Sequence, residues 1–189
     1  MALGYAIGSI PFGVILTRAF GAGDLRSVGS GNIGATNVLR TGRKGLAAAT
    51  LVLDAGKGAT AVLIALWLFP GDEVPAAAAA FLGHLYPIWL RFRGGKGVAT
   101  MLGIALALCW PIGLVYAGVW LALLASLRIS SVAGMCAAIS APIAAAWLER
   151  FDLATLFLAL ALLVVWTHRA NIERLVQGRE PRVGATKEE

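Results

Sequence analysis

The chain has 189 residues, 59% hydrophobic and only 14% charged, with a mean hydropathy of +0.79. A soluble domain carries about 25% charged residues, so a water-soluble globule is excluded. The net charge of +6 does not point to nucleic acid, because the basic residues sit in short clusters between apolar runs, the pattern of membrane-protein loops.

Residues 1–20 are apolar up to Arg18 and lack a signal peptide's basic n-region. They predict a first transmembrane helix, kinked at Pro11. Residues 21–44 form a polar loop. Residues 45–69 predict a second span, interrupted by Asp54 and Lys57. Gly71, Asp72, Glu73 and Pro75 make a short acidic turn. Residues 76–92 predict a third span, running into the glycine-basic loop RFRGGK that ends at Lys96. Residues 97–127 are too long for one span of about 20 residues, and Pro111 in the middle predicts two short helices broken near Trp110. A basic-hydroxyl loop at 128–131 leads to a sixth span at 132–148, a turn at 149–152 and a seventh span at 153–167. The tail predicts a short amphipathic helix, frayed from about residue 181.

Charge tests this count. With seven spans, every Lys and Arg lies on one side except Arg150, which sits with Asp72, Glu73, Glu149 and Asp152, and Lys57, which lies within a span. By the positive-inside pattern the N-terminus is outside, and the C-terminus and both glycine-basic loops are in the cytoplasm. Fusing 97–127 into one span would send Arg128 and the tail to the opposite side, so charge supports the split independently of length. The expected fold class is all-α: a polytopic membrane protein of seven transmembrane helices, forming one domain over 1–189.

The chemistry gathers in VGSGNIGATNVLR, residues 28–40. So polar a stretch between apolar runs needs a polar ligand, and glycine-flanked N–H groups can form a concave nest for phosphate oxygens. Gly29, Gly31 and Gly34 also spell GxGxxG, with Asp54 about 20 residues on. No strand is predicted before the glycines and Asp54 falls in a span, so a nicotinamide site is discounted. The frame around Gly95 and Lys96 lacks the first glycine of a Walker loop. Asp54 and Lys57 share a helix face and read equally as a mutual ion pair or as part of the site. His84 reads as a hydrogen-bonding partner for a neighbouring helix. His168 and Asn171 face the same way on a helical tail. Cys109 and Cys136 read as packing residues; no metal-ligand spacing exists, and neither metal nor cofactor is expected.

Three stretches resemble one family: DLRSVGSGNIGATNVLR with LDAGKG, then GHLYPIWLRFRGGKGVAT, then HRANIERLVQGRE. In order and spacing the chain resembles the bacterial membrane acyl-phosphate:glycerol-3-phosphate acyltransferases of the PlsY type. The resemblance implies seven spans with the C-terminus inside, and location in the bacterial inner membrane with a cytoplasmic active site. The implied reaction transfers a fatty acyl group from acyl phosphate to glycerol 3-phosphate, giving lysophosphatidic acid and phosphate. It also implies coupling to a soluble enzyme that forms acyl phosphate, with no nucleic acid partner.

Carried over position by position, the resemblance makes Ser30, His168 and Asn171 catalytic. Gly29, Gly31, Asn32, Gly34, Thr36 and Asn37 would complete the acyl-phosphate cradle. Arg40, Lys96 and Ser131 would join His168 and Asn171 around glycerol 3-phosphate, and Gly94, Gly95 and Gly97 would let backbone approach a phosphate.

An acyl phosphate is a mixed anhydride with a good leaving group, so no covalent acyl-enzyme is required. The protein must hold two mutually repelling anions, aim the hydroxyl and stabilise the oxyanion. His168, Asp54 or a substrate phosphate oxygen could take the proton; the substrate phosphate is preferred, since no His–carboxylate dyad is visible. HRANIE is a loose HxxxxE through Glu173, read as coincidental. The rival classes are a small anion transporter and a structural scaffold. The first lacks paired inverted repeats, and the second leaves the glycine-basic loops unexplained.

Overall fold

The computed structural model describes residues 1–184, and those residues are helical with no strand. They form two compact units, Met1–Trp110 and Pro111–Glu189, the second described through Gly184.

In the first unit, helices α1 (Ala2–Gly8) and α2 (Phe12–Ala19) replace the single kinked helix predicted for 1–20. Pro11 caps α2 outside helical geometry, as a residue without an N–H and with fixed φ does. A short helix α3 (Ala35–Leu39) lies in the polar loop, followed by α4 (Lys44–Leu68), α5 (Glu73–Leu85) and α6 (Val98–Leu108). Small residues bring these helices into backbone contact, as membrane helices require where lipid is as apolar as any side chain. A Cβ on Gly4 would lie 2.8 Å from the Ala76 carbonyl oxygen, pressing α1 to α5. Between α4 and α6, a side chain on Gly58 would collide with the Thr100 carbonyl, and one on Gly103 with the Ala55 carbonyl.

The third apolar helix departs from expectation. It starts at Glu73, taking the acidic turn into its first turn, where carboxylates suit the helix dipole. It ends at Leu85 rather than running to residue 92, because Pro87 drives Tyr86 out of the helical region, to φ −130° and ψ 56°. The chain then turns through Arg91 and Phe92, both left-handed at φ 52° and 60°. The predicted break in 97–127 is present: Cys109 is extended, at φ −159° and ψ 95°, between α6 and the next helix.

The second unit contains α7 (Trp110–Leu127) from Pro111 on, α8 (Ser130–Trp147), α9 (Phe151–Thr167) and α10 (Arg169–Val176). The alanines 133, 137, 141 and 145 of α8 are buried, as are Leu153, Phe157, Leu160 and Val164 of the adjoining α9. The axis bends by 58° between α9 and α10. Beyond α10 the chain folds back. The Val183 N–H donates to the Arg128 carbonyl at 2.6 Å, and the Arg128 guanidinium donates to the Val183 carbonyl at 3.0 Å. Val183 lies in the tail expected to fray from about residue 181, and 185–189 of that tail lie outside the described residues.

Among the described residues, four segments are long and apolar enough to cross a bilayer: Ala2–Ala19, Lys44–Leu68, Trp110–Leu127 and Ser130–Trp147. The bent α9–α10 pair makes a fifth, and α5 and α6, at 13 and 11 residues, are shorter than a full crossing.

Candidate active site

The opening loop is built on an apolar base. Leu25, Ile33 and Val38 are buried with Val14 of α2 and Ala47 of α4, so the polar residues between them are fixed from beneath. Asp24 starts the loop with its carboxylate on the Arg26 N–H and guanidinium; that hydrogen-bonded ion pair holds its pKa well below the usual carboxylate range.

Asn37 is the loop's centre. Its Nδ2 donates to the carbonyls of Leu25 at 3.0 Å and Val28 at 2.9 Å. Its Oδ1 accepts from the Ser30 N–H at 3.3 Å and from the Arg40 guanidinium at 3.2 Å. Gly29 is required beside it on two counts: φ is +53°, and a Cβ would lie 2.7 Å from Asn37 Oδ1 and 2.8 Å from Arg40 Cδ. The Gly31 N–H donates to the Val28 carbonyl and the Gly34 N–H to Asn32 Oδ1, both at 2.9 Å. The amides of Ser30, Gly31 and Gly34 are therefore engaged by the loop itself, whereas Ser30 and Arg40 are exposed and Thr36 is half-buried. The structure brings Ser30, Asn37 and Arg40 together around side chains rather than around an open nest of amides.

In the second loop, the Gly94 N–H donates to the Leu85 carbonyl and the Gly95 N–H to the His84 carbonyl, each at 3.0 Å. These glycines fold the loop onto the last turn of α5, and Gly97, at φ +87°, leaves no room for a side chain beside the Phe81 ring. Lys96 stands half-buried between them. Beneath, Lys57 Nζ lies 2.7 Å from Asp54 Oδ1 and donates to the Ile10 carbonyl at 2.8 Å, in the break between α1 and α2. His84 Nδ1 lies 3.8 Å from the same Asp54 oxygen. The Asp54–Lys57 pair is thus a buried ion pair, and His84 faces it.

In the second unit, Ser131, at the start of α8, and Asn171, in α10, are buried and donate to one oxygen, Glu180 Oε1, at 2.7 and 2.5 Å. Arg174 Nε donates to the other, Oε2, at 2.7 Å. Partial burial raises the Glu180 pKa, but the bonds from Asn171, Ser131 and Arg174 outweigh it and hold the carboxyl below its ordinary value. His168 is buried at the bend, with Nδ1 2.8 Å from the Val164 carbonyl. A carbonyl only accepts, so Nδ1 is the donor of this bond and carries a proton.

Sequence reasoning missed Glu180 and Arg174. The available signal was an acid in a basic tail, two residues after Gly178, whose φ of +67° turns the chain back. The acid singled out in HxxxxE, Glu173, is exposed on α10.

A family model described as glycerol-3-phosphate acyltransferase matches residues 1–178. The glycerol-3-phosphate acyltransferase of Mesorhizobium japonicum is 55% identical over 185 residues, covering 98% of this chain and 95% of the relative. That of Erythrobacter litoralis is 58% identical over 182 residues, covering 96% and 92%. The crystal structure of PlsY (YgiH), an integral membrane glycerol 3-phosphate acyltransferase, in its glycerol 3-phosphate form superposes with a TM-score of 0.90 at 38% identity, covering 97% of this chain and 93% of that one. The lysophosphatidic acid form gives 0.86 at 36% identity, covering 96% and 92%.

Proposed function

The chain belongs to the glycerol-3-phosphate acyltransferase family and is an acyltransferase, and from that premise we propose that it moves a fatty acyl group from acyl phosphate to glycerol 3-phosphate. The observation that carries the reading is the Ser30–Asn37–Arg40 arrangement, in which an exposed cation and an exposed hydroxyl are held on one braced loop. The PlsY structures in glycerol 3-phosphate and lysophosphatidic acid forms support the acceptor and the product.

The glycerol hydroxyl attacks the acyl carbonyl carbon, forming the ester C–O bond. The C–O bond to phosphate breaks, and inorganic phosphate leaves with that electron pair. The hydroxyl proton passes to a substrate phosphate oxygen. Ser30, with Gly29, Gly31, Asn32, Gly34, Thr36 and Asn37 shaping the loop, receives the acyl phosphate. Arg40 binds phosphate with a planar fork and Lys96 as a point charge. Ser131, His168 and Asn171 orient glycerol 3-phosphate, with His168 Nε2 accepting from a hydroxyl. Gly94, Gly95 and Gly97 act by shape, since two of their amides already serve α5.

Both units belong to one catalytic domain in this reading. It counts seven spans: the α1–α2 pair, α4, α5, α6, α7, α8 and α9, with α5 and α6 as short crossings. The basic loops face the cytoplasm of a bacterial inner membrane, where a soluble enzyme supplies acyl phosphate.

The test is lysophosphatidic acid formation by detergent-purified protein, offered glycerol 3-phosphate with acyl phosphate, acyl-CoA or acyl carrier protein. Product from acyl phosphate alone is expected. Product only from a thioester overturns the donor, and no product from folded protein overturns the reaction.

A further inference from the structure

We propose that His84 is a positioning residue for Lys96, seated by the buried Asp54–Lys57 pair, resting on the assignment of Lys96 to glycerol 3-phosphate.

Ion pairs inside a membrane protein need a reason. A charge inside the bilayer is costly, and apolar residues of similar size hold helices together as well or better. This pair is buried on both sides, each side chain being 2–3% exposed. It also reaches two other elements. Lys57 donates to the Ile10 carbonyl, in the break between α1 and α2. Asp54 turns the oxygen that meets Lys57 toward His84 Nδ1, 3.8 Å away.

The opposite edge of the His84 ring bears on the second glycine loop. A side chain on Gly95 would collide with His84 Nε2, and one on Gly94 with the His84 carbonyl. The two main-chain bonds from Gly94 and Gly95 end on Leu85 and His84. The ring therefore lies between a fixed carboxylate and the backbone that carries Lys96. Moving the ring moves that backbone, because packing leaves no slack at Gly95. Displacing a binding group by about 1 Å is enough to cost much of its effect.

The acyl phosphate gains nothing from this device, since its proposed cradle sits on the Asn37-braced loop. The signature is thus a selective effect on the acceptor. The experiment compares wild type, Lys96→Ala, His84→Ala, Gly95→Ala, the His84→Ala/Gly95→Ala double variant and Asp54→Leu/Lys57→Met in detergent. It measures thermal unfolding and KM for each substrate. His84→Ala and Gly95→Ala are each expected to raise KM for glycerol 3-phosphate about tenfold, with KM for acyl phosphate near wild type. In the double variant the new methyl enters space the ring has left, so its KM rises by much less than the product of the single effects. Should His84→Ala fail to fold, the apolar Asp54→Leu/Lys57→Met pair carries the test, and the same selective rise is expected.

A raised KM in Lys96→Ala with a wild-type KM in folded His84→Ala, or in the apolar-pair variant, overturns the positioning alone. Single effects that multiply in the double variant do the same. A wild-type KM in Lys96→Ala overturns the assignment of Lys96, and the positioning with it.

Discussion

The side-chain oxygen of Asn37 holds the Arg40 guanidinium at 3.2 Å while its amide nitrogen closes the loop onto Leu25 and Val28. One amide thus joins the fold of the loop to the placement of its cation. Asn37→Asp keeps an acceptor for Arg40 and loses both donations, at about 0.5–1.5 kcal/mol each, and sets a carboxylate against the Leu25 and Val28 carbonyls, which keep their main-chain bonds from Val28 and Gly31. The expected outcome is a lower thermal unfolding temperature together with reduced turnover. Asn37→Asp that unfolds like wild type would remove Asn37 from the loop's support.

Arg40→Ala is expected to raise KM for glycerol 3-phosphate by about one to two orders of magnitude, the scale of a charge-assisted bond at about 1.5–3 kcal/mol, with the unfolding temperature near wild type. Arg40→Lys restores charge without the planar fork and should recover only part of the loss. Steady-state kinetics at saturating acyl phosphate measure both.

Ser30→Ala removes one exposed hydroxyl and keeps the Ser30 bond to Asn37, which comes from the main chain. Turnover is expected to fall about tenfold or more with stability intact. Unchanged turnover would leave the cradle to the other members of the loop.

Glu180 gives a pH prediction with a definite sign. Its folded-state pKa lies below the ordinary 4.5, so its contribution is fully present above that value and is lost as pH falls through the lowered one. Wild type should therefore unfold at a higher temperature than Glu180→Gln at neutral pH, and the gap should close in acid. A gap independent of pH would show that shape, not charge, is what Glu180 supplies.

Gly103→Ala places a methyl against the Ala55 carbonyl of α4. Overpacking of this kind costs about 1–3 kcal/mol. A reduced unfolding temperature is expected, with KM values of surviving protein near wild type.

Much of this architecture was legible in the sequence because length, proline and charge act locally. The bounds of α4, α8 and α9 fall within two residues of expectation, and Cys109 breaks the long run where length and charge called for a break. The third helix was misjudged because its alanines masked the stop that Pro87 imposes on Tyr86. In the opening loop, residue types pointed to an anion site, but hydrogen-bond direction depends on the folded chain. Asn37 turns the Ser30 amide inward, and Asn32 does the same to Gly34. Glu180 was invisible for the same reason. Its partners Ser131 and Asn171 lie 49 and 9 residues away in the chain, and no local pattern brings a lone acid in a basic tail to them.

The interlocked α4–α6 contact also bears on how the chain is made. At 11 residues α6 offers a translocon little more than half the length of an ordinary span, whereas α4, at 25 residues, is long enough to cross. The carbonyl of Ala55 and the bare Cα of Gly58 emerge from the ribosome before Gly103 and Thr100, so the receiving surface is already in the bilayer when the short helix arrives. In the proposed seven-span arrangement, synthesis order makes the long helix a template, and the short one enters the membrane by docking onto protein rather than by its own greasiness.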